Sequence, residues 1–253
     1  MSVWYCIPSK RQPEEVNPVL AKWKEMGYNT AVLRDPGDPL VNADTTLQCE
    51  YPGYAIAVNR LVQGIIAMDP KCQWFVTGGD DILPDPKRTA QEIAKDCTAL
   101  FRAKFYPAAN SQQTCPLETF GVMQPTGDRW GADEPWARAK YPNEPAYIDR
   151  VCGSPWMGRE FCRRIYGGRG PIWPEFWHMF EDEHLQCVAK KLGILWQRRD
   201  LTHHHNHWGR TGFANLQPDF LSRANSPTHW AEAKAIFERL KAGGFAEAED
   251  LLP

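Results

Sequence analysis

The chain lacks the short motifs that most often identify an α/β enzyme. It has no GxxxxGK[ST] loop, no GxGxxG turn after its first apolar segment and no GxSxG nucleophile elbow. Those absences exclude the P-loop NTPase pattern, the dinucleotide fingerprint and the α/β-hydrolase serine site. Its eight cysteines (6, 49, 72, 97, 115, 152, 162 and 187) contain no CxxC pair, so neither a zinc ribbon nor a thioredoxin-type redox motif is available. Several fall at apolar helix positions, as reduced core thiols do. No apolar run reaches membrane length and no leader segment is visible, so the sequence predicts a cytoplasmic protein with no membrane partner. Charge of one sign is missing as well. The net charge is −2, which removes any general pull toward nucleic acid or anionic membrane. There is no internal repeat and no low-complexity segment.

What is present is an ordinary globular composition with unusually many tryptophans, eleven in 253 residues. Such rings fill cores, and they also suit sugar rings and bases. Val3–Pro8 reads as a buried strand followed by Ser9, Lys10 and Arg11. Val16, Leu20, Trp23 and Met26 recur at helical spacing, with Gly27 placed as a cap. Thr30–Arg34 is a second strand ending in Asp35-Pro36-Gly37, so this β-α-β start predicts a parallel pair. Residues 36–52 read as a loop. A helix over residues 53–68 carries Asn59 away from its apolar face. Trp74–Thr77 is a third strand, and it runs into Gly78-Gly79-Asp80-Asp81, with Pro84 and Pro86 opening the next helix. Adjacent carboxylates repel unless something positive sits between them. A hard divalent cation carrying phosphate oxygens answers that need, and an exposed acidic turn is the plain alternative.

Downstream, residues 105–148 read as a functional loop region with short strands, including acids beside a tryptophan at Gly131–Trp136. Val151–Gly158 reads as a strand leading into a helix, and residues 167–177 as a Gly/Pro/Trp loop. Glu181, Asp182 and Glu183 open a helix whose inner face is Leu185, Val188, Ala189 and Leu192; acids there also favour the helix dipole. A strand at Ile194–Gln197 leads to His203, His204, His205 and His207. In an extended segment His203, His205 and His207 share one face, and imidazoles in that pattern suit a metal. Residues 226–252 read as two short helices docked by Trp230, Phe237 and Leu240.

The order of these features resembles the GT-A glycosyltransferases, the nucleotide-sugar-dependent enzymes with a DxD-type metal motif, over about residues 2–210. The match is one of order and local motif, and a narrower one is to bacteriophage-encoded glycosyltransferases, which would place the chain in a bacterial host. The resemblance implies an α/β, Rossmann-like, mostly parallel sheet flanked by helices. It divides the chain into a 1–210 transferase domain, with a nucleotide-sugar half at 1–104 and an acceptor half at 105–210, and a small helical extension at 211–253. It places Pro8, Ser9, Arg11, Asp35, Asn59, Gly79 and Asp80 at the nucleotide sugar, a UDP-sugar being the favoured donor. Gly78 stands where the family has its first Asp, so the resemblance assigns Mn²⁺ or Mg²⁺ to Asp80 and Asp81 with His205 or His203. Glu181-Asp182 takes the place of the family's ED motif, with Asp182 as general base in an inverting reaction. Arg or Lys from 198–210 would add charge as the phosphate leaves.

The acceptor is left open between a saccharide, a protein and a hydroxymethylated base in DNA. For the last, tryptophans at 130–136 and 173–177 would stack the base and Lys/Arg at 163–169 would meet phosphates. Two rivals use the same residues differently. A metal-dependent phosphohydrolase leaves the β-α-β start unexplained, and a non-catalytic carbohydrate- or nucleic-acid-binding module has no need of Asp182.

Overall fold

A computed structural model describes residues 1–108, 113, 115–129, 149–207, 222, 224 and 226–251. The first strand, β1 (Ser2–Pro8), buries every residue from Val3 to Ile7. A strand covered on both faces needs such an unbroken apolar run. It pairs in parallel with β2 (Asn29–Arg34) on one side and β4 (Cys72–Val76) on the other. The expected parallel pair is thus present.

The helix between them, α1 (Pro13–Glu25), starts on Pro13 with Glu14 and Glu15 in its first turn and ends with Lys22 and Lys24 in its last. This is the charge order that complements a helix dipole. Its stripe of Val16, Leu20 and Trp23 is fully buried. Behind it, Gly27 adopts φ +87°, the left-handed conformation that ends helices on glycine.

Residues 36–52 are not all loop. Thr45–Gln48 forms β3, which adds to β2 in parallel register. It is a short edge strand with no fully buried residue, so it carries no apolar pattern to read. The second helix, α2, spans Tyr54–Met68. After β4 the chain makes a two-residue strand, β5 (Ile82–Leu83), before α3 (Ala90–Phe105). That helix starts later than Pro84 and Pro86 suggest, because Thr89 caps it and Glu92 bonds back to the Thr89 N–H.

The remaining strands are β6 (Val122–Pro125), β7 (Trp156–Gly158) and β8 (Leu195–Arg198), with helices α4 (Arg159–Gly168) and α5 (Glu181–Lys191) after β7. The sheet order is β3-β2-β1-β4-β7-β6-β8. Only β7 runs against the rest. It is shorter than the Val151–Gly158 stretch suggests, because residues 151–155 stay irregular and approach the same sheet edge at which the parallel strands end. A separate antiparallel pair joins β5 to β9 (His204–His205), and α6 (Pro227–Ala242) packs the C-terminal region onto the body through Phe237 and Leu240. The fold is therefore α/β, with a mostly parallel central sheet flanked by helices, as the sequence predicts. The expected feature at Gly131–Trp136 lies outside the described residues.

Candidate active site

The carboxyl ends of β1, β2, β4 and β6 converge on one cavity of about 640 Å³, the place where open α/β sheets bind ligands. The acidic loop forms one wall and is braced from below. Tyr5 stacks on Trp23 at 3.8 Å, donates its hydroxyl to the Gly79 carbonyl at 2.6 Å, and Trp23 donates to the Ile82 carbonyl at 2.8 Å. A Cβ at Gly79 would fall 2.5 Å from Asp81 Oδ1 and push that carboxylate aside. The neighbouring turn is held by the Tyr54 hydroxyl, which donates to the Gly78 carbonyl at 3.1 Å.

Both carboxylates of the pair have partners. Asp80 accepts from Ser9 Oγ at 2.6 Å and Arg11 Nε at 2.8 Å. Asp81 meets Arg11 Nη2 at 3.5 Å and His205 Nε2 at 3.1 Å. Burial raises the Asp80 pKa, and Arg11 only partly offsets it. Burial also pushes Asp81 upward, but the His205 hydrogen bond, with Arg11 and His207 behind it, outweighs that and holds it below the usual range. The positive charge the pair requires is thus Arg11, reached across from the end of β1.

The histidine strand lies on this wall because Ile82 pairs with His205 and Leu83 with His204. Asp128 fixes it from the other side, accepting from the His205 N–H at 3.2 Å and lying 3.1 Å from His204 Nδ1. The expected alternation holds: His203, His205 and His207 line the cavity. Their roles differ, however. His203 is buried, with Nδ1 2.7 Å from Ser154 Oγ and Nε2 facing Trp156 Nε1 at 3.4 Å. Burial drives its pKa down to about 3. Both ring nitrogens are engaged within the protein, so the structure shows His203 as a neutral, hydrogen-bonded core group.

The opposite wall is the head of α5. Glu181 and Asp182 both line the cavity. Burial raises the Glu181 carboxyl well above its ordinary range, helped by Asp182, and its Oε2 has no hydrogen-bond partner. Burial lifts Asp182 to about 6, although its Oδ1 accepts from the Glu183 N–H at 2.7 Å. Phe180, which caps this helix, sits at φ 67°, a conformation that costs a bulky residue energy and is held only by its surroundings. Here Trp230 and Phe237 of α6 pack on its ring at 4.9 and 5.5 Å.

Pro8, Ser9, Arg11, Asp35, Gly79, Asp80, Asp81, His203, His205, Glu181 and Asp182 all meet in this cavity. Asp35 accepts from the Tyr51 N–H at 2.7 Å and pairs with Lys10 at 3.3 Å. Asn59 does not join them. Its amide donates to the Ile172 carbonyl at 2.7 Å and accepts from the Ile172 N–H at 2.9 Å, which ties α2 to the loop after α4. Arg198 and Arg199 pair with Asp96, Asp200 and Asp149, and Arg163 and Arg164 with Glu160; none of them lines the cavity. Sequence reading passes over Tyr51, Tyr54, Asp128, Ser154 and His178, which also line the cavity. Trp177, read there only as one of the tryptophans that would stack a base, lines it as well, and Gly53 marks its place. At φ +95°, its missing Cβ leaves room for the Trp177 ring and carbonyl, which a Cβ would meet at 2.6 and 2.9 Å.

Two carboxylates and an imidazole are donors that suit Mg²⁺ or Mn²⁺, and Asp81 Oδ1 and His205 Nε2 already approach each other. No three His, Cys, Asp or Glu side chains among the described residues form a ready cage; Arg11 holds part of that position.

No family profile and no curated protein matches the chain. Among solved structures, a Drosophila β-1,4-galactosyltransferase 7 mutant, in complex with manganese, UDP-Gal and xylobiose, covers 89% of this chain and 80% of its own at 11% identity and a TM-score of 0.42. A likeness of that level assigns no function.

Proposed function

We propose that the chain is a divalent-metal-dependent glycosyltransferase of the GT-A type, moving a sugar from a nucleoside-diphosphate sugar to an acceptor hydroxyl. One observation carries the reading: the Asp80/Asp81 pair and the raised carboxyl of Asp182 face a single cavity at the carboxyl ends of parallel strands. Its volume of about 640 Å³ is in the range of small-molecule sites.

In this reading Pro8, Ser9 and Asp35 meet the base and ribose, and Tyr51 and Trp177 offer ring faces to the sugar. Asp80, Asp81 and His205 would hold a Mg²⁺ or Mn²⁺, which would supply positive charge to the departing diphosphate. Asp182 takes the acceptor proton, and a carboxyl near 6 is both deprotonated and basic enough for that at neutral pH. Glu181, whose carboxyl burial raises well above its ordinary range, faces a substrate hydroxyl. The acids Asp35, Asp128 and Asp182 around the cavity favour a saccharide hydroxyl over a phosphate-bearing nucleic acid as acceptor.

The test separates binding from transfer. Donors from a nucleotide-sugar panel are titrated onto wild type and Asp182→Asn, and transfer to a saccharide mixture is followed. Donor affinity stays within about twofold while transfer falls by about 100-fold or more. Equal transfer by the variant refutes the assignment.

A further inference from the structure

We infer that Arg11 is the resident counter-ion of the acidic pair, and that it moves onto the donor's diphosphate when a divalent cation takes its place, so that cation and donor bind as a linked pair. The inference rests on the donor-site reading above. Arg11 spans both acids, with Nε 2.8 Å from Asp80 Oδ1 and Nη2 3.5 Å from Asp81 Oδ2. A cation held by the two carboxylates would compete with Arg11 for them. The buried Arg34 pins the backbone at this point, Nη1 donating to the carbonyls of Ser9 at 3.2 Å and Arg11 at 2.8 Å. The main chain is therefore fixed, and only the Arg11 side chain, which lines the cavity, has room to exchange partners.

Charge supplies the reason to exchange. Lys10 is engaged with Asp35 just as Arg11 is with the acidic pair, so a diphosphate entering alone meets cations already neutralised and further acids behind them. A divalent ion on the pair removes two negative charges and releases a guanidinium whose planar fork matches phosphate oxygens. Each ligand then strengthens the other by the same factor.

Free Mn²⁺ is measured by electron paramagnetic resonance against wild type, Arg11→Met and Arg11→Lys, alone and with UDP, GDP, CDP and dTDP in turn; melting curves confirm that the variants are folded. Arg11→Met binds Mn²⁺ alone roughly tenfold tighter than wild type, with Arg11→Lys between them. A nucleotide tightens Mn²⁺ binding in wild type and much less in Arg11→Met. Mn²⁺ binding to Arg11→Met that is no tighter than to wild type, including none by either, overturns the exchange even if sugar transfer is observed. Tighter binding with no nucleotide effect in any protein overturns the linkage, and the donor-site reading with it, while leaving Arg11 as the counter-ion.

Discussion

Asp182 and Glu181 are adjacent acids whose carboxyls are both raised by burial, and the two should report differently. If Asp182 is the base, it works only when deprotonated, so the transfer rate should rise with pH through about 6 and level off above. A rate flat from pH 5 to 8 would contradict the role. Glu181 bears on stability. Its folded pKa lies above its unfolded one, so the folded state keeps a proton that the unfolded chain has lost. Its stability contribution is fully present below the unfolded value and declines as pH rises toward the folded value. Glu181→Gln removes that decline, so it should be more stable than wild type at pH 8, with the gap closing toward pH 4. Equal melting at both pH values would argue against a raised carboxyl. The residue types at the site were legible in sequence; their partners were not. Asn59 and His203 look alike as ligands in a string of letters, yet Ile172 and the Ser154–Trp156 pair claim them from more than 40 positions away in sequence.

At the scale of elements, the site depends on two packing supports. The head of α5 is held by α6 through the Phe180 ring. Trp230 is half exposed, so Trp230→Ala should cost little stability, about 1 kcal/mol or less, yet lower transfer several-fold by loosening Phe180. A matched loss of melting temperature and activity would instead mark Trp230 as a plain packing residue. The second support is the contact of Gly53 with Trp177. Gly53→Ala needs an unfavourable φ and collides with that ring, so a loss of about 1–3 kcal/mol is expected in chemical unfolding. The helices were readable because their apolar stripes and caps are local. The β5–β9 pair was not, since its two strands are two residues each and carry no periodicity.

Over the whole molecule, the β-α-β alternation at the start made a parallel pair legible, and the family resemblance then placed the Asp pair and Asp35 together. The short exposed strand β3 and the reversed β7 needed tertiary context. The cysteine reading also scales up. All eight are free thiols in the structure, six of them buried, so thiol titration without reductant should find few reactive in the native protein and all eight after unfolding.

The central claim is a metal-dependent transfer from a nucleotide sugar, and it is tested most directly by nucleoside-diphosphate release. The chain is incubated with a panel of nucleotide sugars and a saccharide acceptor mixture, in Mn²⁺ and then in excess EDTA. The account predicts release from one donor class in Mn²⁺, abolished by EDTA, restored by added Mn²⁺ and absent in Asp81→Asn. Release that continues undiminished in EDTA, or no release from any donor in Mn²⁺, would contradict it.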